Sequence, residues 1–282
     1  MPDLWSHIIA GDMVVNELKD RALCRVILDN RKHFNMGSQG PDFFFYADFW
    51  PWIKKKKGPY MGRVIHEEKQ AEFVISAFDI LREKEGTLHY PQALAYFIGF
   101  VTHLVLDKKA HKIINAVTND DKEHKRFEME LDCLLVEKYY NTKSYKLNPT
   151  SYIKAGEKLD SLIIDIYYLN ITKLYDKNIE LSIVNKSYQD MLKSLRILYS
   201  PFKIKAALLG LINNFFSLNL NQYIYANINS YKIISRKEIE QIEGLFPRYI
   251  SDSMELIDGL SLYLKHEKDR NEVKKKIQSI IV

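Results

Sequence analysis

Residues 95–114 read AYFIGFVTHLVLDKKAHKII, an apolar run broken by His103, Asp107 and His111. Steps of four residues place side chains nearly above one another on a helix, so these three share one face. An inward charge in such a stretch is costly without a partner or a metal ion. Downstream, His124 and Glu128 repeat the same spacing. Two facing helices carrying these pairs would enclose metal.

Imidazole and carboxylate together suit zinc, with manganese or iron behind it, whereas calcium and magnesium are held mainly by oxygen. Cys24 and Cys133 are too few for a thiolate cage. Both lie in helix-like apolar patterns and read as buried thiols of a reducing compartment, the cytoplasm, rather than as a disulfide frame.

The remaining chain reads as all-α, a multi-helix bundle. Mixed three- and four-residue apolar spacing predicts helices over 8–31 and 62–85, Pro91 can open the metal-bearing helix, and 122–140 continues the pattern. Gly37 to Gly40 and Gly58-Pro59 are the clearest breaks, and 141–151 is a polar link. Beyond it the spacing predicts helices over 152–175 and 188–198, an apolar helix over 202–218 opened by Ser200-Pro201, and another over 237–266. This second half has His266 alone and no clustered ligands, and its aromatics Phe215, Phe216, Tyr223 and Tyr225 read as core. The expectation is one domain, 1–282, with the metal site in 1–140 and the helical part 152–282 packed on it.

The chain of 282 residues is 46% hydrophobic, enough to fill a core. No apolar run reaches the length of a membrane span. A net charge of +5 permits attraction to anionic lipid or nucleic acid without demanding it. More pointed is the stretch from Phe43 to Pro59, where Trp50 and Trp52 run into Lys54, Lys55, Lys56 and Lys57. Interfacial tryptophan followed by lysines fits peripheral contact with an anionic bilayer, and fits equally a surface loop with half-buried tryptophans. No protein partner is evident. Neither a glycine-rich phosphate loop nor a serine or cysteine nucleophile motif competes with the metal pattern.

Taken together, His103-Leu-Val-Leu-Asp107, His111 and His124-Lys-Arg-Phe-Glu128 resemble the core of the bacterial zinc-dependent phospholipase C family, related in fold to fungal single-strand nucleases. Trp5-Ser6-His7, Gly37-Ser38-Gln39-Gly40-Pro41-Asp42 and His66 agree with it. The resemblance implies a cluster of two or three zinc ions. Asp42, His66, His103 and Asp107 would hold one, with Asp107 bridging to a second bound by His7. His111, His124 and Glu128 would hold another.

In secreted members the bridged zinc also takes the amine of a terminal tryptophan. Here Met1-Pro2-Asp3-Leu4 precedes Trp5 and has no signal-peptide character, so removal of Met1 would offer the Pro2 amine instead, and Trp5 reads as a core aromatic. The Asp107 to His111 spacing is shorter than in the secreted phospholipases, and Asp42 to His66 is longer, which marks a divergent intracellular branch.

The implied activity is zinc-dependent hydrolysis of a phospholipid to diacylglycerol and a phosphorylated head group, with Asp42 as general base. A nuclease-like phosphoesterase acting on single-stranded nucleic acid or nucleotides is the second reading. A non-catalytic helical protein that binds metal or lipid is the third.

Overall fold

The computed structural model describes residues 3–48, 53, 58–176, 179–202, 205, 207, 224–225, 228 and 233–282. Among the described residues there are helices and turns and no strand. The site half carries α1 (Leu4–Glu17), α2 (Arg21–Asp29), α3 (Arg31–Gly37), α4 (Gly58–Glu67), α5 (Gln70–Glu83), α6 (Tyr90–Val117) and α7 (Asp121–Tyr140). There follow α8 (Pro149–Ile153), α9 (Ser161–Tyr175), α10 (Ser182–Leu198), α11 (Arg236–Leu264) and α12 (Arg270–Ile281). A 3-10 turn, Asp42–Tyr46, leads out of the loop after α3.

The central element is α6. Pro91 sits in its first turn, as its fixed φ and missing N–H allow. From Ala93 to Asp107 every residue is buried, so α1, α3, α9 and α11 surround it. The closest crossing is with α3. A Cβ on Gly99 would lie 2.2 Å from the Phe34 carbonyl oxygen, and one on Gly37 would lie 1.9 Å from that of Tyr96. Glycine on both helices lets the two backbones touch, which brings the loop after α3 over His103.

Beneath that loop the ring of Tyr167, on α9, lies against Phe43, Phe44, Phe73, Phe97 and Phe100. Its hydroxyl lies 2.9 Å from that of Tyr96 and donates to the Gly40 carbonyl at 3.4 Å. Trp5 is fully buried.

The later helices pack on this half. Helix α11 lies along α6, with Lys109 paired to Asp252, and α12 lies on α5, with Arg270 bonded to Asp79 at 2.7 Å and Lys274 to Glu72 at 2.9 Å.

Several helix boundaries differ from the periodicity. The helix expected over 8–31 is three helices, because Asp20 turns its carboxylate onto the amides of Ala22 and Leu23 and starts a new one, and Asn30 separates the next. The helix over 62–85 breaks at Lys69, which takes a left-handed φ of 49°. That over 152–175 breaks where Asp160 caps α9, and that over 188–198 begins earlier, at Ser182. Of the two cysteines, Cys133 is buried as expected but Cys24 is only half-buried, packed at the margin of the core. Of the helix expected over 202–218 only residues 202, 205 and 207 are described, and Phe215, Phe216 and Tyr223 lie outside the described residues.

Adding a methyl group at the α3–α6 crossing forces two backbones apart, and overpacking of this kind costs about 1–3 kcal/mol. Gly99→Ala is therefore expected to lower the melting temperature by several degrees. Gly244→Ala, in α11 with nothing within 4 Å of the new Cβ, is expected to raise it slightly. Thermal unfolding followed by circular dichroism checks both.

Candidate metal centre

Four elements converge on one buried face of α6. His103 and Asp107 come from α6, His7 from the second turn of α1, His66 from the last turn of α4, and Asp42 from the start of the 3-10 turn. His103 is 0% exposed and His7 is 2% exposed. The Asp107 carboxylate lies at the middle, with His103 Nε2 at 3.4 Å, His7 Nε2 at 3.5 Å and His66 Nε2 at 3.6 Å. Asp42 Oδ1 is 3.0 Å from His66 Nε2.

Backbone carbonyls orient these rings. His66 Nδ1 donates to the Gly62 carbonyl at 2.8 Å, and His103 Nδ1 to the Ser38 carbonyl at 3.2 Å. A carbonyl only accepts, so each Nδ1 carries a proton, and in the neutral ring each Nε2 presents its lone pair inward, whereas protonated His66 donates from Nε2 to Asp42. The two Nε2 atoms then face each other at 3.3 Å.

The loop over His103 depends on Gly40. Its φ is +53°, and a Cβ there would fall 2.1 Å from His103 Cδ2.

A second group lies one turn further along α6. His111 Nδ1 donates to the Asp107 carbonyl at 2.9 Å, the ring stacks on His124 of α7 with centroids 5.5 Å apart, and His124 Nε2 is 2.9 Å from Glu128. The metal-capable groups are therefore His7, His103 and Asp107; Asp42, His66 and His103; and His111, His124 and Glu128. His103 belongs to two of them.

Zinc fits this donor set. Lone pairs of imidazole and carboxylate point at one another, both ring nitrogens of His7 and Oδ1 of Asp107 are buried without a hydrogen-bond partner, and such groups are rare unless a bound ion or water satisfies them. Of the other sequence candidates, Pro2, Trp50, Trp52, Lys54, Lys55, Lys56 and Lys57 lie outside the described residues. The carbonyls of Ser38 and Gly62 had no signal in the sequence, since any residue supplies a carbonyl.

Burial pushes His103 well below the ordinary histidine range, and lowers His111 as well. Burial also opposes charge on His66, but the hydrogen bond and charge of Asp42 outweigh it and raise that histidine. Burial drives Asp42 up. Burial acts the same way on Asp107, where the neighbouring imidazoles of His103 and His7 prevail and hold it well below the usual carboxylate range.

A helical bundle that turns buried and half-buried imidazoles and carboxylates toward shared points has donor groups suited to binding metal. The sequence model of the zinc-dependent phospholipase C family matches residues 6–180, more than half of the chain, and the chain belongs to that family. Neither any curated protein nor any solved structure matches it.

Histidines lowered by folding take up more protons when unfolded, so their contribution to stability is present above pH ~6.5 and is lost as pH falls below it. His66 and Asp42, raised by folding, work in the opposite sense, as does Asp132, which burial pushes up to about 7. The two sets oppose one another between pH 5 and pH 7, so the midpoint of chelator-treated protein is expected to change little across that range, each ~1 kcal/mol of imbalance moving it by about 2–4 °C. Zinc-loaded protein at pH 7 is expected to melt higher than either, by about 2.7 kcal/mol when free zinc is 100-fold above its Kd. Differential scanning calorimetry checks both differences.

Proposed function

We propose that the protein hydrolyses a phospholipid phosphodiester on the glycerol side of phosphorus, releasing diacylglycerol and a phosphorylated head group. The observation that carries this reading is the convergence of acceptor groups from His7, Asp42, His66, His103 and Asp107 in a buried cleft. Family membership supports the choice of zinc and of a phospholipid.

In this reading Asp42, His66, His103 and Asp107 would hold one ion, Asp107 and His7, with the Pro2 amine once Met1 is removed, a second, and His111, His124 and Glu128 a third. Zinc bound there supplies Lewis acidity to the phosphoryl oxygens and makes water nucleophilic near neutral pH. Asp42 is the general base. Its carboxylate would take one proton from the attacking water as the water oxygen bonds to phosphorus, the bond between phosphorus and the glycerol oxygen would break, and that oxygen would leave with the proton returned from Asp42. The backbone-anchored rings of His66 and His103 keep the geometry fixed through the step.

Phe45, 37% exposed, lies over the edge of the site with its ring centroid 5.7 Å from that of His66, and supports an apolar substrate contact. Among the described residues no helix is long and apolar enough to cross a membrane. The reading has the enzyme meet lipid peripherally, through Trp50, Trp52 and Lys54 to Lys57. It takes the chain as one domain, supported by the packing of α11 and α12 on the site half. The free thiols of Cys24 and Cys133 support a reducing compartment, the cytoplasm.

Untagged protein purified without chelator is expected to carry two or three zincs and to release diacylglycerol from mixed phospholipid vesicles, read by lipid mass spectrometry. Release of nucleotides from single-stranded DNA, with no diacylglycerol, would transfer the same site to the nuclease-like reading. Zinc retained with no hydrolysis of either substrate would leave a metal- or lipid-binding protein. Asp42→Asn is expected to reduce kcat by about 10²–10⁴. Full activity in that variant, with zinc still bound, removes Asp42 as the base.

A further inference from the structure

Asp132 lies on α7 one turn beyond Glu128 and is 0% exposed. Its carboxylate is the meeting point of two distant parts of the chain. Oδ1 accepts from the Ser6 amide at 2.7 Å and the Ser6 hydroxyl at 2.5 Å. Oδ2 accepts from the Trp5 amide at 2.8 Å and the Tyr225 hydroxyl at 2.6 Å.

Trp5 and Ser6 stand in the first turn of α1, whose amides have no partner within their own helix. A carboxylate there also suits the positive end of the helix dipole. Helix α1 is thus capped from outside, by a side chain of the helix that carries His124 and Glu128. The next residue after Ser6 is His7.

His7 has no hydrogen bond of its own at either ring nitrogen. Its ring stacks on His103 at 4.3 Å between centroids and approaches Asp107, but no carbonyl fixes its tautomer or tilt, as Ser38 and Gly62 do for His103 and His66. Its place over Asp107 is therefore inherited from the backbone of α1. Tyr225, which completes the Asp132 cluster, lies outside the family-matched residues 6–180. The same part of the chain docks on α7 a second time, where buried Glu130 accepts from the amides of Ile233 at 3.0 Å and Ile234 at 3.1 Å.

We propose that Asp132 and Tyr225 are positioning residues of the metal centre. They fasten the first turn of α1 to α7 and so set His7 against Asp107, making the C-terminal part of the chain necessary for full metal affinity at the His7 end. The proposal rests on the zinc reading above. Tyr225→Phe is the informative variant, because it removes one donor and keeps the ring. Asp132→Asn, which also turns an amide donor toward existing donors, is expected to act in the same direction and more strongly.

Two measurements on the full chain decide it. In chelator-treated protein, hydrogen exchange at the amides of Trp5 and Ser6 is expected to quicken about tenfold in Tyr225→Phe, as loss of one bond to a buried carboxylate implies. In competition with a chromophoric chelator, the variant's weakest-held zinc is expected to bind about tenfold less tightly, and this difference is expected to vanish in a His7→Ala background. Unchanged exchange overturns the proposal, as does a loss of zinc affinity that is equally large without His7, which would mark Tyr225 as a general stabiliser. Quickened exchange with undiminished zinc affinity also overturns it. Wild-type protein that takes up no zinc would defeat the zinc reading itself, and the positioning role with it, a result told apart by the wild-type titration alone.

Discussion

Everything in this molecule is arranged around a polar interruption in its most buried helix. His103 and Asp107 sit at the centre of α6, in a stretch that neighbouring helices cover on all sides. Buried groups of this kind must be paired or must hold a cation. The pairing they find is mutual and built of acceptors, since Ser38 and Gly62 have already taken the Nδ1 protons of His103 and His66. What remains pointing inward is lone-pair density from three helices and a loop, which a bound cation would satisfy.

That requirement explains features of the fold that periodicity would not ask for. The α3–α6 crossing is drawn to backbone contact through Gly37 and Gly99, which delivers the Ser38 carbonyl to His103. Gly40 keeps a left-handed turn because no side chain fits above the imidazole. Below, Tyr167 and the aromatic residues around it give the same loop an unyielding floor. A soft loop at this point would let Asp42 wander relative to His66, and a metal ligand displaced by even a few tenths of an ångström is a weaker one.

The helical class, and the shared faces of His103 with Asp107 and of His124 with Glu128, were legible in the sequence because spacing by four is a local property of a helix. His7, Asp42 and His66 had no such local signal and came only from resemblance, since their approach to α6 is a matter of tertiary packing. Helix boundaries were less legible. Asp20, Asn30 and Lys69 break apolar patterns that run through them, and a side-chain cap or one left-handed residue outweighs periodicity there. Asp132 and Glu130 were open to the reasoning that singled out Asp107. The run FEMELDCLL puts acidic residues at every second place among apolar ones, a spacing no single solvent-facing stripe accommodates.

That spacing divides the work of α7 between two faces. Residues four apart share a face, so Glu128 and Asp132 both look toward α1, one as a candidate ligand and one as the cap of the helix that carries His7. Glu130, two positions from each, looks the other way, onto the amides of Ile233 and Ile234. Helix α7 is thereby held to both ends of the chain by buried charge while it presents His124 and Glu128 to His111. An apolar interface would have bound these helices as firmly, yet it tolerates sliding, whereas a carboxylate with four directed donors has one register in which all are satisfied. For a centre whose ligands come from separate helices, that fixed register is what joins the folding of the C-terminal part to the geometry of the metal site.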